Sequence, residues 1–280
     1  MPLIAFSKGN PAGEAIAAKL VENSGFEPQP QIASGDEKFE WNNWKNPGGL
    51  QLVEITTMHI FADYLAYYPL FNETDLLVFA STHKSAKGVP SLTVHTPGNF
   101  TGENILGGNP SQLALGSAKA IKCGYGFLRK PQNRVPGFEA AIEATHHGPS
   151  ALSCPVMFAE VGSTENEWGN EAAARKAAEC IMHVCGNWRR EPVEKYAVGF
   201  GGPHYLEKFA RLVEEKNWGF AHTASRHTAA KMGEGMAGQA VEKTLEGAQI
   251  GVVEKKSFTA AQREKVLGEI AKAGLEAIIV

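Results

Sequence analysis

Five consecutive apolar residues, Leu76-Leu77-Val78-Phe79-Ala80, run without a break into Ser81-Thr82-His83-Lys84-Ser85. This stretch constrains the fold more than any other. A strand with one wet face alternates apolar and polar side chains. A continuous apolar run bounded by polar residues reads instead as a strand covered on both faces, as in a parallel sheet between two helical layers.

Further strands and helices alternate along the chain. Leu3 to Phe6 reads as a strand. Gly9-Asn10-Pro11 opens a helix to about Asn23, with Ala12, Ile16 and Leu20 as its apolar stripe. Gln31 to Trp44 reads as strand and turn, Leu50 to Ile55 as a strand, and His59 to Tyr68 as an aromatic-rich helix ended by Pro69. Strands are also expected at Leu92 to His95, Phe138 to Ala144, Val156 to Val161, Tyr196 to Phe200, Trp218 to His222, Ile250 to Val253 and Leu275 to Val280. Helices are expected over Leu113 to Lys130, behind the capping box Thr164-x-x-Glu167, over Leu206 to Lys216 and Met236 to Leu245, and after Thr259-x-x-Gln262. This order predicts an α/β fold with a mixed, mostly parallel sheet. With no linker, repeat or low-complexity tract, residues 1–280 are expected to form a single domain.

Composition excludes several classes. No apolar run approaches the roughly 18 residues that span a bilayer. Met1 to Ser7 is too short for a secretory h-region. Cys123, Cys154, Cys180 and Cys185 lack C-x-x-C spacing, which suits a reducing cytoplasm. A net charge of −3 does not announce a nucleic-acid binder, so any RNA surface must be local.

The chemistry-bearing residues follow the strands. His83 and Ser85 lie past one, His95 ends a second, and Glu143-Ala144-Thr145-His146-His147-Gly148-Pro149 closes a third. Glu160 ends a fourth, and Gly201-Gly202-Pro203-His204-Tyr205 follows a fifth. If these strands run parallel, all five clusters meet at one carboxyl edge, where open α/β sheets bind ligands. Histidine with carboxylate suits either a zinc site or metal-free general-base chemistry. Spacing does not decide between them, since no H-E-x-x-H is present. There is no P-loop and no Gly-x-Ser-x-Gly elbow, and Gly199-x-Gly201 lacks the third glycine of a dinucleotide fingerprint.

Four motifs carry a family resemblance: Ser81-x-His83-x-Ser85, Leu92-Thr93-Val94-His95-x-x-Gly98-Asn99, Glu143-Ala144-Thr145-His146-His147-Gly148-Pro149 and Gly199-Phe200-Gly201-Gly202-x-His204-Tyr205. In this order they resemble the archaeal and plant type of D-aminoacyl-tRNA deacylase. Glu160-x-Gly162-Ser163 and Glu167-Trp168 also fit. The chain departs from the family pattern at Thr82, at Leu206 and Glu207, and from Ala221 to Gly235, which holds His222, Arg226 and His227. The resemblance implies an esterase that removes D-amino acids from the 3′ end of tRNA, with zinc as cofactor. It also implies a three-layer α/β/α fold like that of peptidyl-tRNA hydrolase and the purine phosphorylases.

On this reading His146 or His147 activates water, directly or through the metal, and Glu143, His204 and Tyr205 complete the catalytic set. His83, His95, His146, His147, His204 and Glu160 are the candidate metal ligands. Ser85, Gly98, Asn99, Thr145, Gly201 and Gly202 are expected to bind substrate, Gly98 and Gly201 through backbone N–H groups. Between Leu76 and Phe138 the only acid is Glu103, and the basic residues include Lys84, Lys87, Lys119, Lys122, Arg129 and Lys130. That strip would hold an acceptor stem through its phosphates. A cytoplasmic monomer with neither membrane nor DNA as partner is expected. Two other readings stay open: a metal-dependent hydrolase or phosphorylase-like enzyme acting on a small ester, amide or nucleoside, and a non-catalytic RNA-binding module.

Overall fold

A computed structural model describes residues 1–33 and 40–280. Its strands are β1 (Leu3–Ser7), β2 (Glu27–Ala33), β3 (Glu40–Lys45), β4 (Gln51–Ile55), β5 (Leu77–Thr82), β6 (Ser91–His95), β7 (Glu139–Ile142), β8 (Val156–Gly162), β9 (Lys195–Phe200), β10 (Trp218–Ala224), β11 (Ile250–Val253) and β12 (Glu276–Ile279). Its helices are α1 (Pro11–Ser24), α2 (Pro69–Asn72), α3 (Ala118–Arg129), α4 (Glu165–Trp168), α5 (Glu171–Asn187), α6 (Glu207–Lys216), α7 (Arg226–Lys231), α8 (Met236–Glu242) and α9 (Ala260–Lys272). The turn expected between Gln31 and Trp44 falls on residues 34–39, outside the described residues.

Eight strands form one sheet in the order β2-β3-β4-β1-β5-β8-β6-β7, and four form a second in the order β10-β9-β11-β12. The mixed, mostly parallel α/β architecture is as expected. β4, β1, β5 and β8 run parallel, as do all strands of the smaller sheet. The direction of β6 and β7 is not as expected, because β6 runs antiparallel to β8 and carries β7 with it. Only residues 83–90 connect β5 to β6, and a parallel return needs a crossover of about a dozen residues or more. The five polar clusters therefore cannot share one carboxyl edge.

The apolar run is buried on both faces, with Leu76 to Ala80 all at 0% exposure. On one face Val78, Ala80, Leu92, Val94, Ile142, Met157, Ala159 and Val161 join a core built with α1, α3 and α5. On the other, Leu77, Phe79, Val156 and Phe158 pack with Leu65 and Phe71. Burying each large side chain contributes about 1.5–3 kcal/mol.

Two helical expectations need correction. Leu113 to Ser117 is extended, because Leu113 bridges Gly98 and Ser117 caps α3. The Glu246 carboxylate closes that cap by accepting from the backbone N–H of Ala118 at 3.0 Å and of Lys119 at 3.2 Å. His59–Tyr67 is a 3-10 segment kinked at Phe61 and Ala62. Among the described residues no helix is long and apolar enough to cross a membrane.

Candidate active site

Strand alternation places the site on a face of the large sheet, not at its edge. Along β5, Phe79, Ser81 and His83 share one face, and along β8 so do Phe158 and Glu160. In register, Phe79 pairs with Phe158 and Ser81 with Glu160. Across β6, His95 pairs with Phe158 and Thr93 with Glu160. Glu143 follows Ile142 of β7 and points away from the core that holds Ile142. The apolar half of this face is thus continued by His83, His95, Glu143 and Glu160. The segment after β9 completes the group by pairing with the end of β7. Ala144 N–H donates to the His204 carbonyl at 2.9 Å, and Leu206 N–H to that of Ile142 at 2.9 Å.

Glu143 is the hub. Its carboxylate accepts from His204 Nε2 at 2.6 Å and lies 3.1 Å from His83 Nδ1. His83 is the polar group that faces this buried Oε1, which has no other hydrogen-bond partner. His83 Nδ1 is also 3.6 Å from Glu160, and its Nε2 is 2.9 Å from the Tyr205 hydroxyl. Burial by itself opposes a charge on His83, but Glu143 and Glu160 outweigh it and raise its pKa to about 11. Burial would also raise Glu143, yet its contacts with His204 and His83 hold it well below the ordinary carboxylate range. Glu160 is pushed up, first by burial and also by the neighbouring Glu143 charge. These contacts favour the charged form of His83. Its ring nitrogens face Glu143, Glu160 and Tyr205, and with Glu143 and His204 it forms a group whose donor atoms lie within 4.8 Å of one another.

His95, His146 and His147 form a second group whose donor atoms lie within 4.8 Å of one another. His146 Nδ1 is 2.8 Å from the Ala144 carbonyl, and His147 Nδ1 is 2.6 Å from that of Gly148. A carbonyl only accepts, so both protons sit on Nδ1 and both Nε2 atoms keep a lone pair. His95 Nε2 approaches His147 Nε2 at 3.2 Å, and His95 Nδ1 is buried without a partner. Desolvation, the leading cause in all three, lowers their pKa values, that of His147 to about 3. Neutral imidazoles oriented by backbone carbonyls are a donor set that could hold a divalent cation. His204, whose Nε2 faces Glu143, falls instead in the group with His83 and Glu143. Glu160 reaches a ligand-like grouping only with His95 and Glu143.

The two groups border a cleft of about 750 Å³ whose walls include His59, Lys84, Ser85, Glu160, Trp168 and His204. His59 and Trp168 were not assigned to the site from sequence. The His59 ring is fixed between Ser7 Oγ at 3.1 Å and Ser81 Oγ at 2.9 Å, and burial lowers its pKa to about 4. A serine at or next to the end of each of two adjacent strands was the available signal. Trp168 donates its indole N–H to the His83 carbonyl at 2.9 Å.

Several expected donors are already engaged, although Gly98, Asn99 and Thr145 line a small cavity beside His146 and His147. Gly98 N–H already donates to the His147 carbonyl at 2.7 Å, and Gly201 N–H to that of Ala224 at 2.8 Å. Gly202 N–H donates to Ser257 Oγ at 2.7 Å. These glycines therefore shape turns and offer no free donor to an oxyanion. At Gly98, a Cβ would lie 2.8 Å from Leu113 Cα. Asn99 braces its own loop by donating to the Gly107 and Asn109 carbonyls. The Thr145 hydroxyl is 3.3 Å from His222 Nδ1.

The basic strip divides. Lys84 and Lys87 are exposed, and Lys84 lines the cleft. α3 packs in the core on the opposite face of the sheet. There Lys122 is buried, its ammonium 2.6 Å from Glu191. Arg129 pairs with Glu214 at 2.7 Å, and Lys119 donates to the Arg189 carbonyl at 3.2 Å. Lys130 is exposed at the end of α3. The α3 residues are therefore not beside the site, and three of them already have partners.

Residues 70–278 match the profile of a protein family described as D-aminoacyl-tRNA deacylase. A D-aminoacyl-tRNA deacylase from Methanosarcina mazei is 34% identical over 275 residues, covering 89% of each chain. One from Pyrococcus furiosus is 33% identical over 231 residues, covering 81% of each. A crystal structure of a conserved protein of unknown function superposes with a TM-score of 0.86 at 29% identity, covering 100% of this chain and 95% of the other.

Proposed function

This chain belongs to the D-aminoacyl-tRNA deacylase family, and on that premise we propose how its residues divide the reaction. The enzyme hydrolyses the ester that joins a D-amino acid to tRNA, releasing both. The observation that carries the proposed mechanism is the Glu143–His204 pair at the cleft, 2.6 Å apart.

Glu143 accepts the Nε2 proton of His204, so the other ring nitrogen carries the lone pair. That nitrogen takes the proton of the attacking water, and the buried carboxylate stabilises the imidazolium that results. As the C–O ester bond breaks, the same proton passes to the departing ribose oxygen. His146 and His147 are poorer bases, because desolvation holds both below the ordinary histidine range. Their proposed role, with His95, is to hold zinc, which would polarise the ester carbonyl and lower the pKa of a bound water. His83 and Tyr205 are positioning residues that keep Glu143 ionised and in place. Lys84 and Lys87 would meet the phosphates of the tRNA 3′ end. We place the enzyme in the cytoplasm, which suits the buried free thiols of Cys123, Cys154 and Cys180.

Single-turnover hydrolysis of D-tyrosyl-tRNA tests this division. His204→Gln should lower the rate by about 10²–10⁴-fold, the range of acid–base catalysis, while tRNA affinity stays near wild type. Wild-type rates in that variant, or equal cleavage of L- and D-esters by the intact protein, would overturn it.

A further inference from the structure

A second cavity, of about 310 Å³, lies against the same histidine pair. It shares Leu106, His146 and His147 with the large cleft. Its remaining walls include Phe100, Thr101, Ile105 and Thr228. His146 is partly exposed, whereas His147 is buried. His146 is thus the point of the pair that a substrate carbonyl reaches, and two cavities lead away from it.

An aminoacyl ester also has two arms at its carbonyl carbon. One is the ribose with its phosphates, and the other is Cα with the side chain. The phosphate-bearing arm suits the large cleft, where Lys84 stands. The smaller cavity is lined by Glu103 and, among the described residues, by no lysine or arginine. Glu103 is offset by Lys231 at 3.6 Å, so a phosphate would find no cation on these walls, whereas a neutral side chain meets Phe100, Ile105, Leu106 and threonine hydroxyls. The volume is at the small end of ligand pockets, enough for one aromatic side chain.

Building on the deacylase reading, we propose that this smaller cavity is the subsite for the aminoacyl side chain and that the large cleft takes the terminal nucleoside. With the ester fixed at His146, exchanging hydrogen and side chain at Cα turns the side chain away from this cavity. Configuration is then read by misplacement. The walls at Thr101 and Thr228 set the largest side chain accepted.

The test compares kcat/KM for D-tyrosyl-tRNA and D-alanyl-tRNA. Thr228→Trp and Thr101→Trp fill the smaller cavity from two different segments, so one remains informative if the other does not fold. Each should lower the tyrosyl-to-alanyl ratio by about tenfold, the scale at which a pocket discriminates by size. Met58→Trp, on the large cleft, should lower both substrates alike. Affinities for amide-linked D-tyrosyl- and D-alanyl-adenosine give the same ratio without turnover. Binding in the expected pattern without hydrolysis would overturn the esterase reading and leave the subsite standing. An unchanged ratio in the folded threonine variants, or a ratio altered by Met58→Trp, would overturn the subsite.

Discussion

Replacing Glu143 with glutamine tests the centre of the site with little change of shape. The carboxylate lies within 4 Å of three histidines, His83, His146 and His204, and without it His83 would keep only one carboxylate, Glu160 at 3.6 Å. A glutamine amide presents one acceptor and one donor where two acceptors stood. Breaking a buried ion pair from one side typically costs about 3–5 kcal/mol, because the remaining charge stays buried. For a chain of this length, 1 kcal/mol moves Tm by about 2–4 °C, so Glu143→Gln should lower Tm by on the order of 10 °C.

The pH dependence follows from His83. Its pKa is raised from 6.5 to about 11 in the folded state. The stabilisation it shares with Glu143 and Glu160 is complete below 6.5 and is lost as pH rises toward 11. One extra proton held by the folded state gives a slope of at most about 1.4 kcal/mol per pH unit. The Glu143 shift has the opposite sign, so its contribution is complete above 4.5 and is lost as pH falls below that value. Urea unfolding of the wild type from pH 7 to pH 10 should show declining stability, and Glu143→Gln should flatten that decline. Hydrolysis by the variant should fall about 10²–10⁴-fold with the loss of the His204 partner. A variant with unchanged Tm, the same alkaline slope and a wild-type rate would refute the reading of Glu143 as the hub.

Other outcomes follow from the same geometry. Reversing Lys84 and Lys87 should weaken tRNA binding and reduce the log–log salt slope by about 0.7 per lost single-strand contact; filter binding at several salt concentrations would measure it. Lys122→Glu should instead destabilise the fold and leave the salt slope alone, since its ammonium is paired with Glu191. His95→Ala and His146→Ala should each remove bound zinc as measured by elemental analysis, and metal-free protein with full activity would dispose of the proposed cofactor. His59→Phe should lower stability by about 1–3 kcal/mol in chemical denaturation, because Ser7 and Ser81 lose their shared partner.

Much of the site could be read from the sequence, and the omissions have physical causes. The polar residues that interrupt the apolar strands were visible as such. They meet because alternation puts Ser81, Glu160, Thr93 and His95 on one face in register, not because five strand ends share an edge. The reversal of β6 was legible in the short connection from residue 83 to 90, which excludes a crossover. The basic strip misled because a charge count along the chain takes no account of distant partners. Glu191 and Glu214, which neutralise Lys122 and Arg129, lie far downstream in the sequence. His59 was missed for a related reason, since its role depends on two serines that come together only when β1 and β5 pair.

Charge balance links the two halves of the site. The Glu143 carboxylate and the His83 imidazolium offset one another, burial and Glu143 push the Glu160 pKa up to about 7, and the three histidines beside them are kept neutral by desolvation. With its charges nearly balanced, the protein part of this site offers no net positive charge to draw in a phosphate. A tRNA end must therefore be held from outside, where Lys84 stands, and only its uncharged ester carbonyl should approach the histidines. In the proposed mechanism the Glu143 carboxylate, 2.6 Å from His204, would stabilise positive charge on that ring once it has taken a proton from water. Glu143 would thus favour the protonated intermediate on the enzyme side, while the phosphates of the substrate would stay with Lys84 at the cleft wall.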